Sequence, residues 1–425
     1  MLDARCWILD AGCSILDAGY WILDNLLLVT CHWLLATDHW LLITGYWLLI
    51  TGYWLLITDN RSLITTNLHF SIATGPPAGT RSPVNYTGVN MTLPDKFKAL
   101  VVTETRDNQF IRSIEHKKID DLPQGDVVVQ VLYTSLNYKD VLSATGNRGV
   151  TRNYPHTPGI DAAGIVADSA NENFKPGDEV IVTSYDLGMN TAGGFGQYIR
   201  VPAGWVVPLP QGLTAAEAMV YGTAGFTAAL SVWNLIENCV VPDSGDVLVS
   251  GATGGVGSIA VSILSKLGYS VTAINGVVDE TDYLKEIGAK NIIPLEEATD
   301  TGGRPILKSL WAGGIDTVGG DILTTTIRST KYGAAVTCCG NVASADLPLS
   351  VYPFILRGVR LIGIDSQNCP MPVRQIIWQK IASEWKIDWL PTITTEASFN
   401  ELSDKIDLML QRKHIGRTII KMTDD

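Results

Sequence analysis

Hydrophobic and polar positions form one pattern from residue 97 to about residue 210. Short apolar or alternating runs are separated there by turn residues such as Gly125-Asp126 and Lys175-Pro176-Gly177-Asp178. This pattern predicts strands, including those at 99–103, 126–132 and 179–183. The first part of the ordinary sequence is therefore predicted to be mostly β.

The pattern changes at residue 215, where longer helix-like runs begin to alternate with short apolar runs. The predicted elements are helices at 215–237, 255–267 and 281–287, and strands at 247–250, 271–275, 314–318 and 334–339. Such alternation predicts a doubly wound parallel sheet with right-handed crossovers. After residue 349 the pattern is mixed again, with a helix predicted at 373–384 and a strand at 418–422.

The chain is therefore predicted to be α/β, with a mostly β domain that is interrupted by an α/β domain. The mostly β domain is expected to start at 91–220 and to resume at 350–425. The inserted α/β domain is expected at 221–349.

Glycines are concentrated where the first predicted strand of the α/β domain meets its helix. The sequence VLVSGATGGVGSIA (247–260) places Gly251, Gly254, Gly255 and Gly257 between an apolar strand and a helix. Such a turn lets the backbone approach a pyrophosphate, and the helix N-terminus offers free N–H groups. The strand, helix and second strand around it favour a dinucleotide site over a glycine-rich loop that binds nothing.

Residues 1–90 have a different pattern from the rest of the chain. Trp33, Trp40, Trp47 and Trp54 mark nearly identical seven-residue repeats, which lack the flanking charges of a coiled coil. Residues 39–58 carry no Asp, Glu, Lys or Arg and are long enough to span a membrane, so a membrane anchor is one interpretation. We favour the other, in which Met91 is the true start and residues 1–90 are an extension outside the fold.

Composition narrows the classes of partner. The 425 residues carry 31 basic and 43 acidic side chains, for a formal net charge of −12. No basic stripe with interleaved aromatic residues is present, so nucleic acid is not an expected partner. The seven cysteines form no C-x-x-C pair and suit a reducing cytoplasm, which is the expected location.

Several motifs in consistent order resemble the medium-chain dehydrogenase/reductase superfamily, and within it the zinc-free YhdH/YhfP quinone-oxidoreductase-like group that includes acryloyl-CoA reductase. The resemblance extends over about 97–421. Its motifs are SLNYKD (135–140), PGIDAAG (158–164), GGFGQY (193–198), YGTAGFTAAL (221–230), GATGGVGSIAV (251–261), DYLKEIGAK (282–290), YPFILRGVRLIGIDS (352–366) and IGRTIIK (415–421).

The resemblance implies a GroES-like catalytic domain with an inserted Rossmann domain and an NADPH-dependent reductase. Zinc-dependent relatives place a Cys in the motif matching SLNYKD and a His-Glu pair in the motif matching PGIDAAG. Asn137, Ile160 and Asp161 stand at those positions here. Ile160 cannot bind a metal and Asn137 is a poor zinc ligand, so no catalytic zinc is expected.

A zinc-free site supports hydride addition to an activated C=C bond, because the cofactor supplies the hydride. The enolate that results needs hydrogen-bond donors at its oxygen and a proton at its α carbon. Tyr138 of SLNYKD is the candidate for cofactor contact and for proton donation. The alternative is that its ring only packs beside the nicotinamide while water delivers the proton.

The same resemblance implies the rest of the cofactor site. The pyrophosphate contacts are expected from Thr253, Gly254, Gly255 and Val256, and the adenosine-ribose contacts from Asn275, Gly276 and Val277. Further contacts are expected from Leu295, Asn341, Ile355, Ser366 and Arg417. The second strand ends without the acidic residue that selects NAD, which favours NADPH. The basic residue usual near Val277 in this group is missing, so NADH stays open.

Two classes of function follow. The first is a reductase of an acyl-CoA, an enone or a quinone, with acryloyl-CoA preferred. The second is an NADPH-binding protein that senses or binds a partner and whose redox activity is incidental. The resemblance also implies a homodimer, and a membrane is expected only if the N-terminal extension is real.

Overall fold

The computed structural model describes residues 93–276 and 280–423, together with the backbone of the antiparallel strands Leu56–Asp59 (β1) and Ser62–Thr65 (β2). Residue contacts divide the chain into the units Met1–Tyr86 and Thr87–Asp425. Our predictions for Met91 as the start, for the heptads and for Val277 fall outside the described residues.

Strands and helices alternate through the second unit in the order that follows. The strands are β3 (Lys96–Glu104), β4 (Phe110–Lys118), β5 (Val127–Leu136), β6 (Asp161–Ser169), β7 (Glu179–Thr183), β8 (Tyr198–Val201), β9 (Val206–Pro208), β10 (Val247–Val249), β11 (Val271–Asn275), β12 (Asn291–Pro294), β13 (Trp311–Asp316), β14 (Thr330–Cys338), β15 (Arg360–Gly363), β16 (Thr394–Ser398) and β17 (Arg417–Lys421). The helices are α1 (Tyr138–Ala144), α2 (Ala215–Glu237), α3 (Gly255–Lys266), α4 (Thr281–Glu286), α5 (Gly320–Arg328), α6 (Tyr352–Arg357), α7 (Met371–Ala382) and α8 (Leu402–Leu410).

The mostly β domain combines strands from both ends of the unit. Its main sheet has the order β16-β17-β5-β6-β7-β9, with β8 also paired to β5, while β3 and β4 pair with each other. The C-terminal strand β17 lies antiparallel to β5, so Thr418 is opposite Leu136. This pairing places Arg417 beside the segment that leads into SLNYKD.

The inserted domain is a six-stranded parallel sheet of order β12-β11-β10-β13-β14-β15. The order reverses between β10 and β13, and in such sheets ligands bind outside the carboxyl ends of the strands at this point. The predicted α/β class with an inserted parallel sheet is confirmed. The predicted domain end at 349 is too early, because β15 pairs with β14 and extends the sheet to Gly363.

Helix α2 carries the chain between the two domains. It begins at the N-cap Thr214, whose hydroxyl accepts from the Glu217 backbone N–H while the Glu217 carboxylate accepts from the Thr214 N–H. Among the described residues it is the one helix long and apolar enough to cross a membrane, but 78% of its most apolar window is buried within the protein. It is therefore a core helix.

Candidate active site

The glycine turn between β10 and α3 is tight on its inner side and open on its outer side. Gly251 has a φ of 59°, and a Cβ there would lie 2.2 Å from the Thr317 hydroxyl. A Cβ on Gly257 would lie 2.2 Å from the Gly251 carbonyl oxygen. Gly254, the N-cap of α3, would place a Cβ no closer than 3.3 Å to any neighbour, and no side chain caps this helix in the described structure. The first-turn amides are therefore available to an anion.

The parallel sheet brings further predicted cofactor residues to the same edge as this turn. Asn275 ends β11, Leu295 follows β12, and Asn341 comes three residues after β14. Because parallel strands present their carboxyl ends at one edge, these residues join Thr253–Val256 there. Gly276 follows Asn275, and a Cβ on it would meet nothing within 4 Å.

The structure treats the other two predicted residues of this part differently. Ser366 lies just beyond β15, where its hydroxyl accepts a hydrogen bond of 2.8 Å from Thr227 of α2. Ile355 lies on α6 with its side chain 67% exposed, outside the hydrophobic clusters. Ser366 thus belongs to the packed crevice, whereas the contact of Ile355 with a cofactor stays a prediction.

Arg417 is buried and its guanidinium is satisfied by the protein. Its Nε donates to the Val220 carbonyl at 2.8 Å, and Nη1 donates to the Leu136 carbonyl at 3.3 Å and to the Asn137 side-chain oxygen at 3.1 Å. Nη2 donates to the Ser135 hydroxyl at 2.8 Å and lies 4.0 Å from an Asp161 oxygen. Arg417 also lies against the glycine turn, because a Cβ on Gly255 would be 3.1 Å from its Cδ and Nη1. Its donors hold the protein together around that turn.

Asp161 is the acceptor at the centre of this network, and the sequence analysis had not singled it out as a site residue. Its Oδ2 accepts from the Ser135 hydroxyl at 2.6 Å, the Asn137 amide at 2.8 Å and the Thr223 backbone N–H at 2.9 Å. Its Oδ1 accepts from the Thr223 hydroxyl at 2.5 Å. The side chain of Asp161 is fully buried. One carboxylate thus joins SLNYKD, PGIDAAG, α2 and β17.

The network explains a break inside α2. Gly222 has a φ of 50° and a ψ of −154°, which are not helical. A Cβ there would lie 2.4 Å from Asp161 Oδ2, 2.7 Å from the Ser135 hydroxyl and 2.9 Å from Arg417 Nη2. Only glycine fits this close approach, and the break directs the Thr223 N–H to Asp161.

A second buried carboxylate, Asp140, supports the loop before α1. Its Oδ2 accepts from the Asn137 backbone N–H at 2.8 Å, and its Oδ1 accepts from the Ile160 N–H at 2.8 Å. Burial, and then the nearby Asp161, raise the pKa of Asp140 to about 7. Asp140 therefore holds local geometry, as the sequence suggested, and it is electrically coupled to the Asp161–Arg417 network.

The positions that hold zinc ligands in zinc-dependent relatives are occupied by these hydrogen bonds. The Asn137 amide donates to Asp161, and Ile160 offers only its backbone N–H to Asp140. Over 93–276 and 280–423 no group of three or more His, Cys, Asp or Glu residues is arranged to hold a metal ion.

The two residues between Asn137 and Asp140 point away from the network. Tyr138 is the first residue of α1 and is 49% exposed. Lys139 is half-buried, and its ammonium donates to the Gln367 side-chain oxygen at 2.8 Å. Gln367 adjoins Ser366, so SLNYKD and the segment after β15 meet here. The sequence analysis had not singled out Lys139 or Gln367, because only the fold brings them together.

Comparison with known proteins agrees with this arrangement. A model of the alcohol dehydrogenase GroES-like domain matches residues 123–211, and a model of the zinc-binding dehydrogenase family matches residues 255–383. The putative quinone oxidoreductase YhfP of Bacillus subtilis is 45% identical over 77% of this chain and 99% of its own length. The chain belongs to the medium-chain dehydrogenase/reductase superfamily. This confirms the resemblance that its motifs indicated.

Other members of the quinone-oxidoreductase-like group are similar over the same extent. The acrylyl-CoA reductase AcuI of Ruegeria pomeroyi is 42% identical over 76% of this chain and 98% of its own length. Escherichia coli YhdH with bound NADPH matches with a TM-score of 0.74 at 41% identity, covering 76% of this chain and 100% of YhdH. Bacillus subtilis YhfP with NAD bound matches with a TM-score of 0.75 at 45% identity, covering 77% and 99%.

Proposed function

We propose that this medium-chain reductase uses NADPH to add a hydride to the activated C=C bond of an α,β-unsaturated carbonyl compound, with acryloyl-CoA to propanoyl-CoA as the preferred reaction. The observation that carries the proposal is the open glycine turn at α3, directly beside the buried Arg417 that fixes SLNYKD. The name of AcuI, an acrylyl-CoA reductase at 42% identity, supports the substrate class.

The residues at the carboxyl edge of the parallel sheet fit a nicotinamide dinucleotide. The uncapped N-terminus of α3 suits the pyrophosphate, and Gly254 leaves room for it. Strand β11 ends in Asn275 and Gly276, without the acidic residue that binds the ribose of NAD, and this favours NADPH. The solved relatives divide on this point, since YhdH holds NADPH and YhfP holds NAD.

The chain's own residues then have separable tasks in the reaction. When bound, the nicotinamide supplies the hydride. Arg417 and Asp161 hold SLNYKD against the glycine turn, so that Tyr138 lies at the substrate end of the crevice. Tyr138 either donates the proton to the α carbon or forms a wall beside the nicotinamide. No step requires a metal, because the amide and carboxylate of Asn137 and Asp161 occupy the ligand positions.

A homodimer in the cytoplasm is part of the proposal. Strand β15 is an edge strand of the described parallel sheet. The preceding helix α6 exposes Tyr352, Ile355 and Leu356, which are 47%, 67% and 59% accessible. Clustered apolar exposure of this kind marks association surfaces. Light scattering should give twice the chain mass of 46.0 kDa, and a value of one chain mass would contradict the dimer.

One screen tests the proposed function. NADPH and NADH oxidation are followed with acryloyl-CoA, crotonyl-CoA, simple enones and quinones as acceptors. We expect acryloyl-CoA with NADPH to give the highest kcat/KM. Preferred turnover of quinones would support the activity in the name of YhfP instead. NADPH binding without turnover of any acceptor would indicate the sensor or partner-binding alternative.

A further inference from the structure

The Lys139 side chain occupies the crevice between the two domains. It comes from α1 of the mostly β domain, and its ammonium reaches Gln367, which follows β15 of the inserted sheet. Its neighbours Tyr138 and Ser366 are both predicted cofactor contacts. The ammonium therefore lies where the two segments expected around the nicotinamide converge.

The segment that contacts Lys139 is firmly held. The buried Arg374 donates to the Ser366 carbonyl at 2.9 Å and to the Gln367 carbonyl at 3.2 Å. The same guanidinium donates to the Thr183 hydroxyl at 3.0 Å and lies 4.4 Å from the centre of the Tyr185 ring. Gln367 thus gives the Lys139 ammonium a fixed orientation.

Most other donors near Tyr138 are already used within the protein. The Asn137 amide and the Thr223 hydroxyl donate to Asp161, and the Arg417 guanidinium is surrounded by protein acceptors. Lys139 has three N–H donors, and Gln367 is its one hydrogen-bond partner among the described residues. An ammonium with donors to spare, next to Tyr138, is suited to an oxygen that gains negative charge.

The charges that face Lys139 come from three segments. Asp140 adjoins it on α1, Asp161 lies on β6, and Asp365 lies on the segment after β15. These carboxylates favour the ammonium, but burial outweighs them and lowers the pKa of Lys139. A lysine in this setting is a stronger hydrogen-bond donor than one in water.

We propose that Lys139 is a catalytic residue that binds the carbonyl oxygen of the unsaturated thioester and stabilises the enolate. This rests on the proposed function. The β carbon takes the hydride that NADPH gives up in becoming NADP⁺, and the π electrons of the C=C bond shift toward the carbonyl oxygen, which Lys139 holds. The α carbon then takes one proton from Tyr138 or water, and the carbonyl re-forms.

The kinetic test compares Lys139→Met, Lys139→Arg and the control Lys175→Met, whose lysine lies in an exposed turn. We expect Lys139→Met to lower kcat with acryloyl-CoA by about 10²–10³-fold, as loss of one oxyanion donor does. Lys139→Arg keeps a cationic donor and should retain more activity, and Lys175→Met should match wild type. The Kd for NADPH, measured by fluorescence, should change less than about threefold in all three variants.

A labelling experiment tests the contact without turnover. Wild-type protein is treated briefly with acetic anhydride, and acetylation of Lys139 and Lys175 is measured by peptide mass spectrometry. NADP⁺ with propanoyl-CoA should protect Lys139 and leave Lys175 unchanged. Normal kcat in Lys139→Met, or equal labelling of Lys139 with and without these ligands, would overturn the proposal. If wild type itself does not reduce acryloyl-CoA, the proposed function has failed instead.

Discussion

Replacing Asp161 by Asn tests whether its charge holds the buried network. An Asn oxygen in place of Oδ2 can still accept from Ser135, Asn137 and Thr223, and its NH₂ can donate to the Thr223 hydroxyl. The change therefore removes mainly the charge that faces Arg417. Removing one partner of a buried ion pair costs about 3–5 kcal/mol.

The geometry places the expected loss at the low end of that range. The Arg417–Asp161 distance is 4.0 Å, the guanidinium has other acceptors, and Asp140 remains nearby. We expect Asp161→Asn to lower the free energy of unfolding by about 3 kcal/mol in urea titrations at pH 7. Asp168→Asn, on the exposed part of the same strand, is the control and should change it by less than about 0.5 kcal/mol. Equal stability of the two variants would refute the role assigned to the Asp161 charge.

Three further predictions concern the turn, the second carboxylate and metal. Gly254→Val should keep the fold but weaken NADPH binding more than about 100-fold, since its side chain would stand over the N-terminus of α3; Gly257→Ala should instead destabilise the protein, and unchanged NADPH affinity in Gly254→Val would move the pyrophosphate elsewhere. Because the pKa of Asp140 is raised to about 7, the unfolded chain ionises this group first, so wild type should lose stability relative to Asp140→Asn as pH rises from about 4 to about 7; parallel stability curves would contradict the raised pKa. Activity should survive chelation, and loss of turnover restored by zinc would show that a metal is needed.

Local patterns predicted the elements whose signals lie within their own sequence. The helix at 215–237 and the strands at 179–183 and 271–275 were predicted with the bounds that the structure shows, because each is a continuous apolar run between turn residues. Helix α7 begins two residues earlier than predicted, with Pro372 in its first turn, where proline is tolerated. Strand β13 ends at Asp316 rather than at 318, because the Asp316 carboxylate turns to accept from the Gly319 N–H.

Contacts between distant segments were harder to predict. The sequence pointed to Arg417 as a contact for a charged group, but its partners at 135–137, 161 and 220 are distant in sequence. The break at Gly222 has the same origin, because the carboxylate that requires it lies 61 residues earlier in the chain. The motifs SLNYKD and PGIDAAG contained Asn137 and Asp161, so the signal was present, but only the fold joins them through a hydrogen bond.

The destination of the hydride tests the central claim most directly. NADPH carrying deuterium in the transferred position at C4 of the nicotinamide is incubated with the protein and acryloyl-CoA, and the product is analysed by mass spectrometry and NMR. We predict propanoyl-CoA with one deuterium at its β carbon and a proton from water at its α carbon. Deuterium at another position, or consumption of NADPH without propanoyl-CoA, would contradict a reductase of activated C=C bonds.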